Sequence, residues 1–200
     1  MKVYDISQEV LSAKVFPGDP SPESKRIMSI SQGDVCNLTE FSMCAHNGTH
    51  VDAPKHFYDD GNAIDEIALE SFVGYAFVTE FVGDIKAEDA KRILEKAKKI
   101  DDRASKRIIV KGKAVVTTEA AKVFANEKIK LFGNESQTVG PEDAPKEVHL
   151  IMLGAGIVLL EGIVLDDVSE GVYLLNAAPI NLGGADGAPC RAILIDEENI

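Results

Sequence analysis

The sequence has few or none of the features that mark several classes of protein. It contains no tryptophan, three cysteines and four histidines in 200 residues. Its 21 basic residues against 33 acidic ones give a formal net charge of −12. Because nucleic acids and anionic membrane surfaces bind basic faces, this charge argues against both as partners. Cys36, Cys44 and Cys190 are odd in number and irregularly spaced, which predicts reduced thiols rather than a disulfide framework.

Long apolar segments are also missing. The N-terminal stretch MKVYDISQEV lacks the apolar core of a signal peptide, so we expect a cytoplasmic protein. The longest apolar run, from Leu150 to Leu165, contains two early glycines and Glu161, and it is too short to span a bilayer. The remaining composition, 45% hydrophobic and 27% charged, is that of an ordinary globular protein. We therefore expect residues 1–200 to form one domain.

Short β-type segments alternate with helical patterns along the chain. Strands are predicted at Val3–Ser7, Phe72–Val82, Arg107–Lys111, Lys128–Gly133 and 192–195, with a buried strand inside Gly156–Leu165. Helices are predicted at Ala87–Ile100, at Thr118–Ala125, and from near Pro145 to Leu153, where Gly154 would supply a left-handed stop. This interleaving predicts the α/β class, without the regular repeat of a doubly wound sheet.

Three of the four histidines lie in the stretch AHNGTHVDAPKHF, residues 45–57. His46, His50 and Asp52 all have even numbers, and His56 shares that parity. On an extended chain, even offsets place side chains on one face. A helix would bring the first two histidines together but turn Asp52 away. The spacing therefore favours a strand that presents these side chains to one site.

The residues between the histidines support an extended conformation. Gly48 and Pro54 both oppose a helix, so we predict a strand that leads into a loop near Pro54. Thr49 and Val51 would then point into the core. Gly48, having no side chain, would leave room for a metal ion or a substrate on the ligand face.

Two imidazoles and a carboxylate form a three-ligand set for a borderline metal such as zinc, with coordination positions left open. An open site indicates catalysis, because structural zinc is more often closed by four Cys or His ligands. Cys44 shares the face and stays open as a neighbour of the site. A single histidine in a Gly/Pro-rich loop would be ordinary surface. Three histidines in phase with an aspartate favour a metal site.

His149 and Glu161 predict a second metal position. His149 lies on an otherwise apolar helix, and Glu161 interrupts the apolar stretch GIVLLEGIVL. A buried carboxylate needs a cation or strong hydrogen-bond donors, because burying it alone costs several kcal/mol. A core ion pair with a lysine or arginine is one explanation. With His149 twelve residues upstream, a second metal position explains Glu161 better, and Asp52 could bridge the two ions.

The stretch HNGTHVDAPKHF, from His46 to Phe57, matches every fixed position of the motif H-x-G-T-H-x-D-x-P-x-H-F. This motif is typical of the cyclase-like metal-dependent hydrolases, which include bacterial kynurenine formamidases (arylformamidases) and isatin hydrolases. FPGDP at Phe16 to Pro20, VHLIMLGAGIVLLEG and GGADGAPCRAIL also resemble segments of that family. The resemblance implies a swivelling β/β/α fold with a mixed β-sheet and flanking helices, assembled as a homo-oligomer, a dimer or a tetramer.

The resemblance also implies a site and an activity. One or two divalent ions, zinc or manganese, would be bound by five residues: His46, His50, Asp52, His149 and Glu161. His56 would be the catalytic acid/base. The implied reaction is hydrolysis of a C–N bond in a small N-acyl or cyclic amide by metal-activated water, as in arylformamidases. The alternatives are a hydrolase of cyclic lactams or lactones of isatin-hydrolase type, and a non-catalytic module that binds a metal or a small molecule.

Two departures from the family bear on the substrate. Arylformamidases generally carry an aromatic-rich segment between the two ligand regions, whereas residues 101–121, DDRASKRIIVKGKAVVTTEAA, are polar and aliphatic. Where many relatives read G-I-D-x-x-S-V, this chain has GNESQTV.

A nucleotide-binding loop at GAGIVLLEG is disfavoured, because the glycine fingerprint needs a strand before it and a helix after it. The predicted order here is helix and then strand.

Overall fold

A computed structural model describes residues 1–197 of the chain. Its α-helices are α1 (Ala87–Ile100), α2 (Thr118–Glu127) and α3 (Lys146–Gly154). Its strands are β1 (Lys2–Asp5), β2 (Glu23–Met28), β3 (Leu38–Ser42), β4 (His50–Asp52), β5 (Val73–Glu80), β6 (Gly83–Ile85), β7 (Arg107–Lys111), β8 (Ala114–Val116), β9 (Leu131–Asn134), β10 (Val158–Glu161), β11 (Gly171–Asn176), β12 (Gly187–Pro189) and β13 (Ile193–Asp196). None of the helices in this range is long and apolar enough to cross a membrane.

Nine strands form one mixed sheet in the order β1-β13-β11-β5-β7-β9-β10-β4-β12. The central strands β5, β7, β9 and β10 pair in parallel, and the strands on either side pair antiparallel. β6 and β8 form a small parallel pair, and β2 and β3 form a separate hairpin. A mixed sheet with flanking helices confirms the predicted fold class.

Strand β7 shows that the sheet has a hydrophobic core on each of its two faces. Ile108 and Val110 belong to the cluster that packs with the helices, whereas Ile109 belongs to the cluster on the opposite face. A parallel strand covered on both faces has a continuous apolar sequence, which is why RIIVK reads as a strand at its correct bounds.

Helix α1 has the bounds that its sequence predicts. Its buried residues, Ala90, Ile93, Leu94 and Ala97, recur at helical spacing along one face. Acidic residues occupy the first turn and lysines the last, as the helix dipole favours.

Other predicted bounds were wrong at the ends of elements. The strand predicted at Lys128–Gly133 begins at Leu131, because Lys128 adopts a left-handed conformation (φ 51°) that ends α2. The left-handed glycine after α3 is Gly156 (φ 75°), and the prediction of Gly154 was wrong. Gly154 lies within α3, where a Cβ atom would stand 2.6 Å from the Tyr58 hydroxyl oxygen. A close approach of a neighbouring ring therefore accounts for this glycine.

The β2–β3 hairpin stands apart from both cores. Its two strands are exposed at every position except the last residue of β2. Ile27, Leu38 and Phe41 are exposed apolar residues on this hairpin. An isolated two-stranded hairpin is only marginally stable in water. Its apolar side chains are thus available for contact with another molecule.

Candidate metal centre

Strand β4 lies between β10 and β12 and places two predicted ligands on one face of the sheet. His50 pairs with Glu161 across the antiparallel β4–β10 register, and Asp52 lies two residues further along β4. Directly opposite residues of such a pair project to the same face. His50, Asp52 and Glu161 therefore converge, and all three are buried. Val51 projects into the core on the other face, as predicted.

His46 lies beside the same residues, but a turn and not the predicted strand places it there. It lies in a turn before β4, and the strand begins only at His50. Gly48 (φ 66°) interrupts the extended chain, so parity along a strand does not place His46. A Cβ atom at Gly48 would face Val10 at 3.4 Å, so the prediction that this glycine opens space for a ligand was wrong. The His46 Nδ1 atom nevertheless lies 2.9 Å from Asp52 Oδ1.

Helix α3 supplies the fourth histidine to the centre. His149 Nε2 lies 3.3 Å from Glu161 Oε1 and 3.6 Å from Asp52 Oδ2. Its Nδ1–H donates to the Pro145 carbonyl oxygen at 2.8 Å. Since that nitrogen carries the proton, Nε2 of the neutral ring presents its lone pair to two carboxylates.

His50 has the same arrangement. Its Nδ1–H donates to the Gly48 carbonyl oxygen at 3.1 Å, while Nε2 lies 3.3 Å from Asp52 Oδ1 and 3.6 Å from Glu161 Oε2. Burial alone would lower the pKa of His50, but the hydrogen bond and charge of Asp52 raise it overall. A lone pair facing carboxylates requires a cation between them, either a proton or a metal ion. A backbone carbonyl that accepts from the other ring nitrogen is typical of metal-binding histidines.

The Asp52 carboxylate is 1% exposed, and it provides the clearest test of whether a cation fits. Its Oδ2 atom is buried and has no hydrogen-bond partner in the described part of the chain. Burial would raise the pKa of Asp52, but His46 and His50 hold it well below its usual range. A buried carboxylate oxygen without a donor is costly unless a cation satisfies it. The residues present therefore fit a divalent ion.

Two sets of candidate ligands share Asp52. One comprises His46, His50 and Asp52, and the other comprises Asp52, His149 and Glu161. Within each set, one ligand-type atom per residue lies within 4.8 Å of the others. The first set joins neighbours in sequence, and the second joins Asp52 to two residues that lie 97 and 109 positions further along the chain. Cys44, left open by the sequence, belongs to neither set.

Asp186 was not predicted as a site residue. Its Oδ2 atom lies 2.8 Å from His46 Nε2 and 3.2 Å from His56 Nδ1. The hydrogen bond with His46 holds the pKa of Asp186 below its usual range. Asp186 reaches the site because β12, which begins at the next residue, pairs with β4. The resemblance of GGADGAPCRAIL to the family's C-terminal loop was a signal that this segment lies near the site. The spacing of residues in a loop, however, does not predict which way a side chain such as that of Asp186 points.

The histidines differ in charge because nearby carboxylates outweigh burial at His46, whereas burial outweighs them at His56. Burial opposes a charge on His46, but its ring nitrogens face Asp186 and Asp52, and these raise its pKa to about 11. Burial lowers the pKa of His56. His56 is therefore neutral near pH 7. Because a carboxylate only accepts, the His56 proton lies on Nδ1 toward Asp186, and Nε2 holds a lone pair.

His56 is also a candidate ligand on distance alone. His46, His56 and Asp186 have ligand-type atoms within 4.8 Å of one another. The metal content of a His56 variant therefore distinguishes a catalytic role of His56 from a ligand role.

A cavity of about 190 Å³ opens onto the four histidines and Glu161. Its walls include two aromatic rings, Phe16 and Phe57, and the polar residues Gln137 and Thr138. The Phe57 ring stacks on the His149 ring, with centroids 4.7 Å apart. Drug-sized ligands occupy cavities of about 300–1,000 Å³, so this space suits a smaller substrate.

Cys190 does not act as a nucleophile in this arrangement. Burial raises the pKa of its thiol to about 12. A thiolate is the reactive form, so this thiol is inert near neutral pH.

Comparison with known proteins identifies relatives over nearly the whole chain. The chain is 32% identical to a kynurenine formamidase of Salinibacter ruber, over 98% of each chain. It is also 32% identical to cyclase-like protein 1 of Arabidopsis thaliana, over 97% of this chain and 85% of that one. Among solved structures, a "predicted metal-dependent hydrolase from Bacillus stearothermophilus" aligns with a TM-score of 0.77 and 27% identity, over 96% of this chain and 97% of that one.

An isatin hydrolase A from Labrenzia aggregata shares the fold, with a TM-score of 0.82 at 21% identity over 98% of this chain and 94% of that one. The model of the Cyclase family matches residues 4–141, which contain the motif from His46 to Phe57. With this match and the full-length relatives, the chain belongs to the Cyclase family of metal-dependent hydrolases.

Proposed function

We propose that this protein is a metal-dependent amidohydrolase that cleaves a C–N bond in a small N-acyl or cyclic amide. The observation that carries the proposal is the buried Asp52 carboxylate, which has one oxygen without a donor and histidine nitrogens on two sides. The similarity to kynurenine formamidases supports hydrolysis of a C–N bond. We further propose that residues 1–200 form one catalytic domain and that it acts in the cytoplasm.

The proposed ligands are His46, His50, Asp52, His149 and Glu161. One or two ions, zinc or manganese, would occupy the two sets that share Asp52. Both metals suit imidazole and carboxylate ligands, and the ligand set alone does not choose between them. A divalent ion bound there supplies Lewis-acid activation of water and of the scissile carbonyl.

The chain's own groups handle the proton. We assign His56 as the acid/base, because its Nε2 lone pair accepts a proton from the attacking water and then returns it to the leaving nitrogen. Asp186 fixes the tautomer and the ring orientation of His56 through Nδ1. The Phe57 ring stacks on the His149 ring and meets the His56 ring edge to face, so part of the cavity wall beside His56 is aromatic.

His56→Ala tests this assignment. The variant should lose activity by about 10²–10⁴-fold, the usual contribution of general acid/base catalysis. Its metal content, measured by plasma mass spectrometry, should equal that of the wild type. Loss of metal along with activity would instead make His56 a ligand, as the set His46, His56 and Asp186 allows.

The whole proposal is tested by metal removal. A chelated sample should lose turnover of N-formyl aromatics and cyclic amides, and zinc or manganese should restore it. Metal binding without turnover of any such compound would identify a non-catalytic binding module. Turnover of lactams or lactones in preference to N-acyl compounds would support an isatin-hydrolase type, and the small cavity favours such compact rings.

We also propose that the protein is a homo-oligomer, a dimer or a tetramer. The exposed β2–β3 hairpin supports this, because Ile27, Leu38 and Phe41 project from it without a covering core. Light scattering after size-exclusion chromatography measures the mass directly. A monomer of 21.5 kDa would contradict the proposal.

A further inference from the structure

The segment that follows strand β4 contacts helix α3 at two neighbouring residues. The Phe57 ring stacks on the His149 ring, with centroids 4.7 Å apart. The Tyr58 hydroxyl donates a hydrogen bond to the Leu150 carbonyl oxygen at 2.7 Å. Both contacts come from the two residues directly after His56, the proposed acid/base. The acid/base and the helix that carries His149 are therefore joined through adjacent residues of one segment.

Helix α3 leaves a gap for the Tyr58 hydroxyl at Gly154. A Cβ atom at Gly154 would stand 2.6 Å from the hydroxyl oxygen and 3.2 Å from the ring carbon that carries it. Leu150 and Gly154 are four residues apart, so they lie on one face of the helix, where the hydroxyl meets both. Gly154 does not have a positive φ, so its backbone does not require glycine. The space that the hydroxyl occupies does.

The position of α3 decides whether His149 reaches the metal centre. Its Nδ1–H donates to the Pro145 carbonyl oxygen, so this bond orients the ring only relative to its own helix. Its Nε2 atom lies 3.3 Å from Glu161 Oε1 and 3.6 Å from Asp52 Oδ2, which belong to strands of the sheet. Polar contacts tolerate only small changes in distance, so a small shift of the helix would break this approach.

The apolar contacts of α3 are not directional. Val148, Met152 and Leu153 pack into the hydrophobic cluster on the helical face of the sheet. Apolar packing holds a helix against a sheet but does not fix its place along the surface. Among the described residues outside α3, only Tyr58 has a side chain that hydrogen-bonds to the helix backbone. This bond therefore sets the place of the helix relative to residues 54–58.

We infer that Tyr58 is a positioning residue for the metal centre. Its hydroxyl holds α3 where His149 faces Asp52 and Glu161. Tyr58 does not line the cavity at the metal centre, so it acts through His149 and not by touching a substrate. This role rests on the proposed function, in which His149 is a metal ligand.

Zinc titration of three variants tests the role. Tyr58→Phe removes only the hydroxyl, and it should raise the zinc dissociation constant by about 10-fold, the lower end of the effect of losing a group that orients a metal ligand. Gly154→Ala should have a similar effect, because its Cβ atom would displace the hydroxyl. The double variant should bind zinc about as well as Tyr58→Phe alone, because the atom that the Cβ atom meets first is then gone.

Tyr173→Phe is the matched control. The Tyr173 hydroxyl also donates to a backbone carbonyl oxygen, that of Ser169 at 3.0 Å, and the residue packs in the cluster on the opposite face of the sheet. The variant should keep the zinc dissociation constant of the wild type. His149→Ala is the positive control, and it should weaken zinc binding more than Tyr58→Phe does.

Proton–nitrogen correlation spectra of the histidine rings give a readout that general destabilisation would not move. The chain has four histidines, so each ring can be followed. In Tyr58→Phe, the signals of His149 should shift with and without zinc, because this ring moves relative to the stacked Phe57 ring. The signals of His50, which lies on strand β4, should shift less. Tyr173→Phe should leave all four rings unchanged.

The outcomes separate the positioning role from the proposed function. If His149→Ala weakens zinc binding but Tyr58→Phe does not, the positioning role is overturned and the ligand role stands. Unchanged zinc binding in His149→Ala overturns the ligand role. The spectra then decide alone: displaced His149 signals in Tyr58→Phe would support the hold on α3, and unmoved signals would overturn it.

Discussion

The sharing of Asp52 between two ligand sets predicts a graded response of thermal stability to metal. Metal at about 100 times its dissociation constant stabilises a folded protein by about 2.7 kcal/mol. A domain of this size shifts its Tm by roughly 2–4 °C per kcal/mol, so one ion should raise the Tm by about 5–11 °C. Two ions bound with similar affinity should raise it by about twice as much.

Asp52→Asn keeps the shape of the side chain and removes a ligand from both sets, so the metal-induced shift should nearly vanish. Glu161→Gln removes a ligand from one set only, and it should leave a part of the shift. His56→Ala should retain the full shift. The Tm of each variant is measured with and without zinc or manganese by differential scanning fluorimetry. Taking the difference for each variant removes any effect of the substitution on the stability of the metal-free form. An Asp52→Asn shift equal to that of the wild type would refute the reasoning.

Two further predictions concern protons and the backbone. The carboxylates raise the pKa of His46 to about 11 and also raise that of His50, so the metal-free fold binds more protons than the unfolded chain. This stabilisation is complete below about pH 6.5 and declines toward about pH 11, so the Tm of the metal-free protein should fall over that window. The affinity for metal should rise over the same window, because a metal ion displaces protons from its ligands. Thermal scans of chelated samples at several pH values measure the Tm, and zinc titrations at the same pH values measure the affinity. A zinc affinity that falls over this window would contradict the assignment of these histidines as ligands. Gly156→Ala should cost roughly 1–2 kcal/mol of unfolding free energy, because φ is 75° and the described residues leave open space within 4 Å of the point where a Cβ atom would stand. Gly156→Asn should cost less, since Asn tolerates that conformation; equal losses in urea titrations would show that packing, not the backbone, is responsible.

Local patterns were sufficient where a single periodicity governs the segment. The bounds of α1 follow from apolar spacing and terminal charges, and those of β7 follow from a short apolar run. Segment ends were less predictable, because they depend on single conformations. Lys128 in the left-handed region ends α2 without any glycine to signal it.

The candidate ligands could be named from the sequence because their residue types are rare and costly to bury. Four histidines in 200 residues and one carboxylate inside an apolar strand are unusual enough to indicate a shared purpose. His46 shows the limit of this reasoning. Its residue type was informative, but its position depends on a turn at Gly48 that parity along a strand does not describe.

The amino-acid sequence by itself therefore determined the α/β class and the choice of candidate metal ligands. Only the tertiary structure decided how those residues meet. The β4–β10 register sets Glu161 opposite His50, helix α3 turns His149 toward Asp52, and the loop before β12 brings Asp186 to His56. Residue type and local spacing reflect short-range forces that act within a segment. Contacts between segments that are distant in sequence depend on which strands pair and in what register, and no local pattern carries that information.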